Sequence, residues 1–134
     1  MKLPAGINLR FCVQRRDDVM TVPTIHNILE KLPTAIPAEC FDSIVDSSAV
    51  RIERIVSCGQ TSPEGEWYDQ EQDEWVLLLA GAAEILIENK PAPRRLSSGD
   101  HLLIPAGCRH RVTWTDPATK TVWLAVHFDN GNKP

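Results

Sequence analysis

Apolar and polar residues alternate in short runs along most of this chain. Over 50–57, Ile52, Arg54 and Val56 stand against Arg51, Glu53 and Ile55; over 83–88, Ile85 and Ile87 stand against Glu84, Leu86 and Glu88. A period of two marks a strand with one face covered. The same reading predicts strands over 41–45, 74–80, 102–104, 109–114 and 121–128, with a short one around Leu96. The strands at 74–80 and 83–88 are expected to form a hairpin around Gly81. Residues 24–32 place Ile25, Ile28, Leu29 and Leu32 at a helix-like spacing, bounded by Pro23 and Pro33. An extended edge strand with a helical turn fits that segment equally. Positions 1–20 follow neither period and carry Arg15-Arg16-Asp17-Asp18, so they read as an arm with the composition of a disordered segment. Eight or so short strands without a long helix imply an all-β sandwich or barrel, a single domain over 21–134.

Composition narrows the class. At 134 residues the chain can bury one sizeable core, and 43% hydrophobic with 24% charged residues is ordinary for a globular domain. The formal net charge of −4 argues against a nucleic-acid or anionic-membrane partner, which basic surfaces serve. No run approaches transmembrane length and no secretory leader is visible, so a cytoplasmic location is expected. Cys12, Cys40, Cys58 and Cys108 form no CxxC pair and match no zinc framework, which agrees with free thiols in a reducing compartment.

The most specific spacing lies late in the chain. Gly99, Pro105, Gly107 and His110 follow the pattern Gly, five residues, Pro, one residue, Gly, two residues, His. Glu74 and Gly81 have six residues between them. In both features the chain resembles the cupin family of double-sheet jelly-roll barrels (the double-stranded β-helix), over roughly 51–128. The resemblance implies a barrel pocket, a divalent metal held by three histidines and a carboxylate, and assembly as a homodimer. It also marks departures. Trp114 stands where the second motif has Asn, and Tyr68 and Gln70 stand where the first motif has two histidines.

Glu74 and His110 are therefore the first candidates, either as metal ligands or as a base and its orienter. Tyr68 is the third catalytic candidate, since a phenol can give or take a proton from a ligand hydroxyl or carbonyl. Gln70, Gln60 and Trp114 are expected to touch a ligand, Trp114 by closing the pocket floor, and Gln70 to complete a metal site with Glu74 and His110. Asp69, His101 and His127 are further donors if their strand registers allow. A mixed oxygen and nitrogen site suits iron, manganese or zinc; a metal-free pocket is the equal alternative. The expected function is binding of a small polar or carboxylated metabolite in the barrel. Two alternatives stand beside it: a metal-dependent dioxygenase or isomerase, and a non-catalytic small-molecule sensor.

Overall fold

The alternating runs are strands in the computed structural model, which describes residues 22–131. In chain order they are β1 (Cys40–Asp46), β2 (Val50–Ser57), β3 (Asp73–Ala80), β4 (Ala82–Ile87), β5 (Arg94–Ser97), β6 (His101–Ile104), β7 (His110–Thr115) and β8 (Thr121–Phe128). They form two antiparallel sheets, one in the order β1-β2-β8-β3-β6 and one in the order β5-β4-β7. Among the described residues no helix forms, and none is long and apolar enough to cross a membrane. The arm expected over 1–20 lies outside the described residues.

Two expectations are corrected, the β3–β4 hairpin and the β7 alternation, and between the two readings of 24–32 the structure decides. The β3–β4 hairpin does not exist: β3 pairs with β6 and β8, while β4 pairs with β5 and β7. Gly81 is a one-residue corner that carries the chain from one sheet to the other. Its φ is +87°, and a Cβ there would stand 2.6 Å from the Thr121 Cα, so only glycine fits. The helix-like segment 24–32 is extended apart from one turn, in which Glu30 N donates to Asn27 O and the Asn27 side chain accepts from Leu29 N at 2.9 Å. Such an Asx contact offers the backbone an alternative to the helix, and Lys31 at φ +52° ends the turn. Arg54 pins this segment to the outer face of the large sheet, donating to Ile28 O and Glu30 O while paired with Asp42.

The second correction concerns β7. The sequence alternation puts His110, Val112 and Trp114 on one face, but a bulge against Glu84/Ile85 shifts the register. One extra residue flips everything beyond it. His110, Val112 and Thr115 are buried, whereas Trp114 sits opposite Glu84 with the Arg95 guanidinium 4.5 Å from its ring. Trp114 belongs to the outside of the small sheet and closes no pocket.

Neighbours across each ladder share a face, so the inner wall of the large sheet is a stack of rows. Phe41, Ile55, Trp123 and Leu78 lie abreast, and with Ala83, Ile85, Leu96 and Val112 they make the hydrocarbon core. Trp123 is fully buried there, and truncating a side chain of that size costs about 3–5 kcal/mol. Two residues along the strands the row reads Ser43, Glu53, Ala125 and Val76; two further on it reads Arg51, His127 and Glu74. The barrel interior thus grades from apolar to polar within about 13 Å of strand. The site lies at the polar end.

Candidate functional site

Residues 60–70 run along the free edge of β7. Ser62 N donates to Val112 O, Val112 N donates to Ser62 Oγ, and Tyr68 and His110 exchange backbone hydrogen bonds of 2.8 and 3.1 Å. This covers the edge of the small sheet and sets Tyr68 and Gln70 over the polar end of the barrel. Pro105 and Gly107 turn the chain into β7, with Cys108 N donating to Pro105 O and Gly107 N to Gln70 O. The motif glycine and proline therefore place His110 opposite β3.

Glu74, His110 and His127 are each at most 1% exposed and converge there. His127 Nε2 lies 3.2 Å from Glu74 Oε2, and His110 Nε2 lies 3.8 Å from Glu74 Oε1. His110 Nδ1 faces Cys108 O at 3.0 Å, and a carbonyl only accepts, so Nδ1 carries the hydrogen and Nε2 is a lone pair. His127 Nδ1 likewise donates to Gln70 Oε1 at 2.9 Å, while Gln70 Nε2 donates to Glu74 Oε2 at 3.2 Å. His110 Nε2 is thus buried without a hydrogen-bond partner among the described residues and faces Glu74 Oε1, while Glu74 Oε2 accepts from Gln70 and stands beside His127. Turning the Gln70 amide over only moves the conflict, since its oxygen would then face Glu74 Oε2. Burial holds both rings neutral: it pushes His110 below the usual imidazole range and, with the positive charge of Arg51 adding to it, takes His127 down to about 3. Acceptors in this arrangement need a proton or a cation between them.

The expected site residues divide accordingly. Glu74 and His110 meet across one interior, although at 3.8 Å they share no hydrogen bond. Gln70 is an orienter of Glu74 and His127 and not a metal donor, because its oxygen is spent on His127. Tyr68 tilts over His110 with ring centroids 5.6 Å apart, and its hydroxyl is hydrogen-bonded to Ser62. Burial raises Tyr68 above the usual phenol range, so it stays a donor and a poor ligand. Gln60 touches no lumen group: its amide bridges Cys58 N and Ile36 O, as short polar loops often satisfy their own backbone. Asp69 is exposed, and His101 accepts from Trp75 Nε1 on the outer face. His127, one of several conditional donors in the sequence, becomes central because β8 pairs with β3 in a register that sets it beside Glu74. Arg51 and Glu53, read from the sequence only as alternating strand residues, also line this end. Their parity with Ile55 was the available signal.

Among the described residues no group of three or more His, Cys, Asp or Glu side chains is arranged to hold a metal ion as it stands. Ligand atoms about 2.1 Å from one ion stand roughly 3.0 Å apart at right angles and further at wider angles. Separations of 3.2 and 3.8 Å fall in that range. Each ring also donates its other nitrogen to an oxygen, the arrangement that fixes metal-binding imidazoles.

No family model and no curated protein matches the chain. Solved structures do. A protein of Ralstonia eutropha provisionally named a mannose-6-phosphate isomerase is 48% identical, with TM-score 0.77 over 80% of this chain and 99% of that one. A cupin superfamily protein of Desulfitobacterium hafniense is 17% identical, with TM-score 0.62 over 74% and 84% of the two chains. The DMSP lyase DddQ of Ruegeria pomeroyi is 27% identical, with TM-score 0.52, over 66% of this chain and 42% of that one. The strand order, the motif that delivers His110 and these relatives agree: the chain belongs to the cupin superfamily.

Proposed function

We propose that the barrel binds a small hydroxylated or carboxylated metabolite at a divalent metal ion held by Glu74, His110 and His127, and isomerises it. The observation that carries this reading is the convergence of two neutral imidazoles on one buried carboxylate, with the unpartnered His110 Nε2 turned toward it. Two imidazoles and a carboxylate with positions left open suit iron, manganese or zinc. Such an ion polarises a bound carbonyl or hydroxyl. The protein's own groups do the rest. Gln70 fixes the tautomer of His127, Cys108 O fixes that of His110, and Tyr68 shields the His110 ring. The hydrocarbon core beneath keeps bulk water from one side of the site. The name of the Ralstonia relative, an isomerase, favours turnover, and that of the Ruegeria relative, a lyase, agrees in kind.

A second reading, a binding module without catalysis, is favoured by one observation: at the positions of the first-motif histidines, Tyr68 and Gln70 are engaged with Ser62 and with the site's own side chains. A homodimer is part of either reading, supported by the exposed Ile25, Ile44 and Leu103. The test is metal content followed by turnover. Protein grown in iron, manganese and zinc should hold about one equivalent of one of them. His127→Ala should lose it. Mannose 6-phosphate, followed by NMR, is the first substrate to try; binding without conversion supports the second reading, and no bound metal in any medium refutes the first.

A further inference from the structure

The polar row continues past the three converging groups. Arg51 stands abreast of His127 in the β2–β8 register, and Glu53 abreast of Ala125. Both side chains therefore rise from the inner face, on the wall that carries His127. Arg54, between them and Ile55 in parity, is spent on the outer face with Asp42 and the 28–30 carbonyls. Arg51 Nε lies 2.7 Å from Glu53 Oε1 as an ion pair, without the geometry of a hydrogen bond. The other carboxylate oxygen, Glu53 Oε2, is buried with no hydrogen-bond partner among the described residues, on a side chain only 3% exposed.

A structural ion pair that served only to stiffen the barrel would satisfy both oxygens, because an orphaned buried acceptor is costly. Arg51 is 35% exposed, and its contact through Nε leaves the two terminal nitrogens out of that pair. A guanidinium edge of this kind takes a carboxylate or phosphate in two parallel hydrogen bonds. Glu53 Oε2 takes a hydroxyl. Because the two head groups touch, the anion and the hydroxyl they accept must sit on adjacent or nearly adjacent atoms of one small molecule.

We propose that Arg51 and Glu53 form a ligand subsite beside Glu74, His110 and His127, selecting small hydroxylated anions with Arg51 on the anionic group and Glu53 on the neighbouring hydroxyl. This rests on the reading that the barrel takes a small solute, and it is independent of the metal. Matched probes test it by calorimetry on the full chain: lactate against propionate for the carboxylate source, glycerol 1-phosphate against propyl phosphate for the phosphate source. In one arm the hydroxylated member should bind about tenfold more tightly, the scale of one well-placed hydrogen bond to a charged group. Glu53→Gln should reduce that preference to below threefold without weakening the deoxy probe. Arg51→Met should abolish binding of both members of the pair, and Arg51→Lys should retain part of it.

Metal-induced stabilisation is measured on the same variants and should persist in all of them, unchanged in Arg51→Lys, which keeps the positive charge beside His127. Loss of the metal effect in wild type with the hydroxyl preference intact removes the metal reading and leaves the subsite standing. A wild-type protein without preference in either arm, or a preference that survives Glu53→Gln, overturns the subsite.

Discussion

Glu74→Gln isolates the conflict at the centre of the barrel. The substitution keeps shape and volume, removes the charge and supplies two N–H donors. In the wild type, Glu74 Oε1 faces the His110 lone pair at 3.8 Å, and Oε2, 3.2 Å from His127 Nε2, accepts from Gln70. An amide nitrogen at the Oε1 place offers the His110 lone pair a donor, while the amide oxygen at the Oε2 place keeps the donation from Gln70. Relieving one unsatisfied buried contact is worth about 1–3 kcal/mol. At roughly 3–5 °C per kcal/mol for a domain of this size, the chelator-treated variant should melt about 3–15 °C above chelator-treated wild type. Added metal should reverse the order. An ion present at a hundredfold excess over its dissociation constant stabilises by about 2.7 kcal/mol, roughly 8–13 °C, and only the wild type keeps the anionic ligand needed to bind it. Calorimetric melts at pH 7.5 with EDTA, then with manganese, iron or zinc, read both effects. A variant that melts below wild type in EDTA, combined with a wild type indifferent to all three metals, would show that Glu74 is satisfied by a shared proton, and the argument for a cation would fail.

The remaining predictions follow from single contacts. His127 is depressed to about 3 in the folded protein, so between pH 6.5 and about 3 the unfolded chain binds a proton there that the folded one refuses, and His110, also lowered by burial, acts in the same direction. Their contribution is fully present above pH 6.5 and is lost on acidification, at up to about 1.4 kcal/mol per pH unit per ring. Glu39 and Glu53, raised by burial, act in the opposite sense, so the quantity to measure is the difference between wild type and His127→Gln in urea titrations from pH 7.5 to 5. Equal slopes refute it. Gln70→Leu releases His127 and should weaken metal binding about 10–100-fold, whereas Gln60→Leu should leave metal binding unchanged and cost about 1–2 kcal/mol from the lost contacts to Cys58 and Ile36. Gly81→Ala should destabilise by about 3 kcal/mol or more, since its Cβ would meet Thr121 backbone at 2.6 Å on a φ of +87°; chemical denaturation checks it, and a loss below 1 kcal/mol would mean the corner yields.

Where the corrections fall is informative. Trp114 was misplaced by a single-residue bulge, which sequence alternation cannot register because it counts residues and not ladder partners. Gly81 was rightly a turn and wrongly a hairpin: glycine announces the reversal but not which sheet receives the next strand. Gln60 and Gln70 share polar loop surroundings, yet one staples backbone outside the lumen and the other orients the central carboxylate. Both outcomes depend on where the 60–70 segment lies against β7.

Local chemistry along the chain was enough to establish most strands and turns, because period-two burial and glycine–proline punctuation are properties of neighbouring residues. The fold family, and Glu74 and His110 as first candidates, came from the resemblance of the motif residues to the cupin pattern. Which face of β2 points inward, and whether His127 stands beside Glu74, were decided only by the pairing of β8 with both β2 and β3. A one-residue shift in that pairing would exchange Arg51 and Glu53 for Ile52 and Arg54 at the barrel wall. Register between strands more than fifty residues apart is an energy of the packed barrel, and no window of sequence contains it.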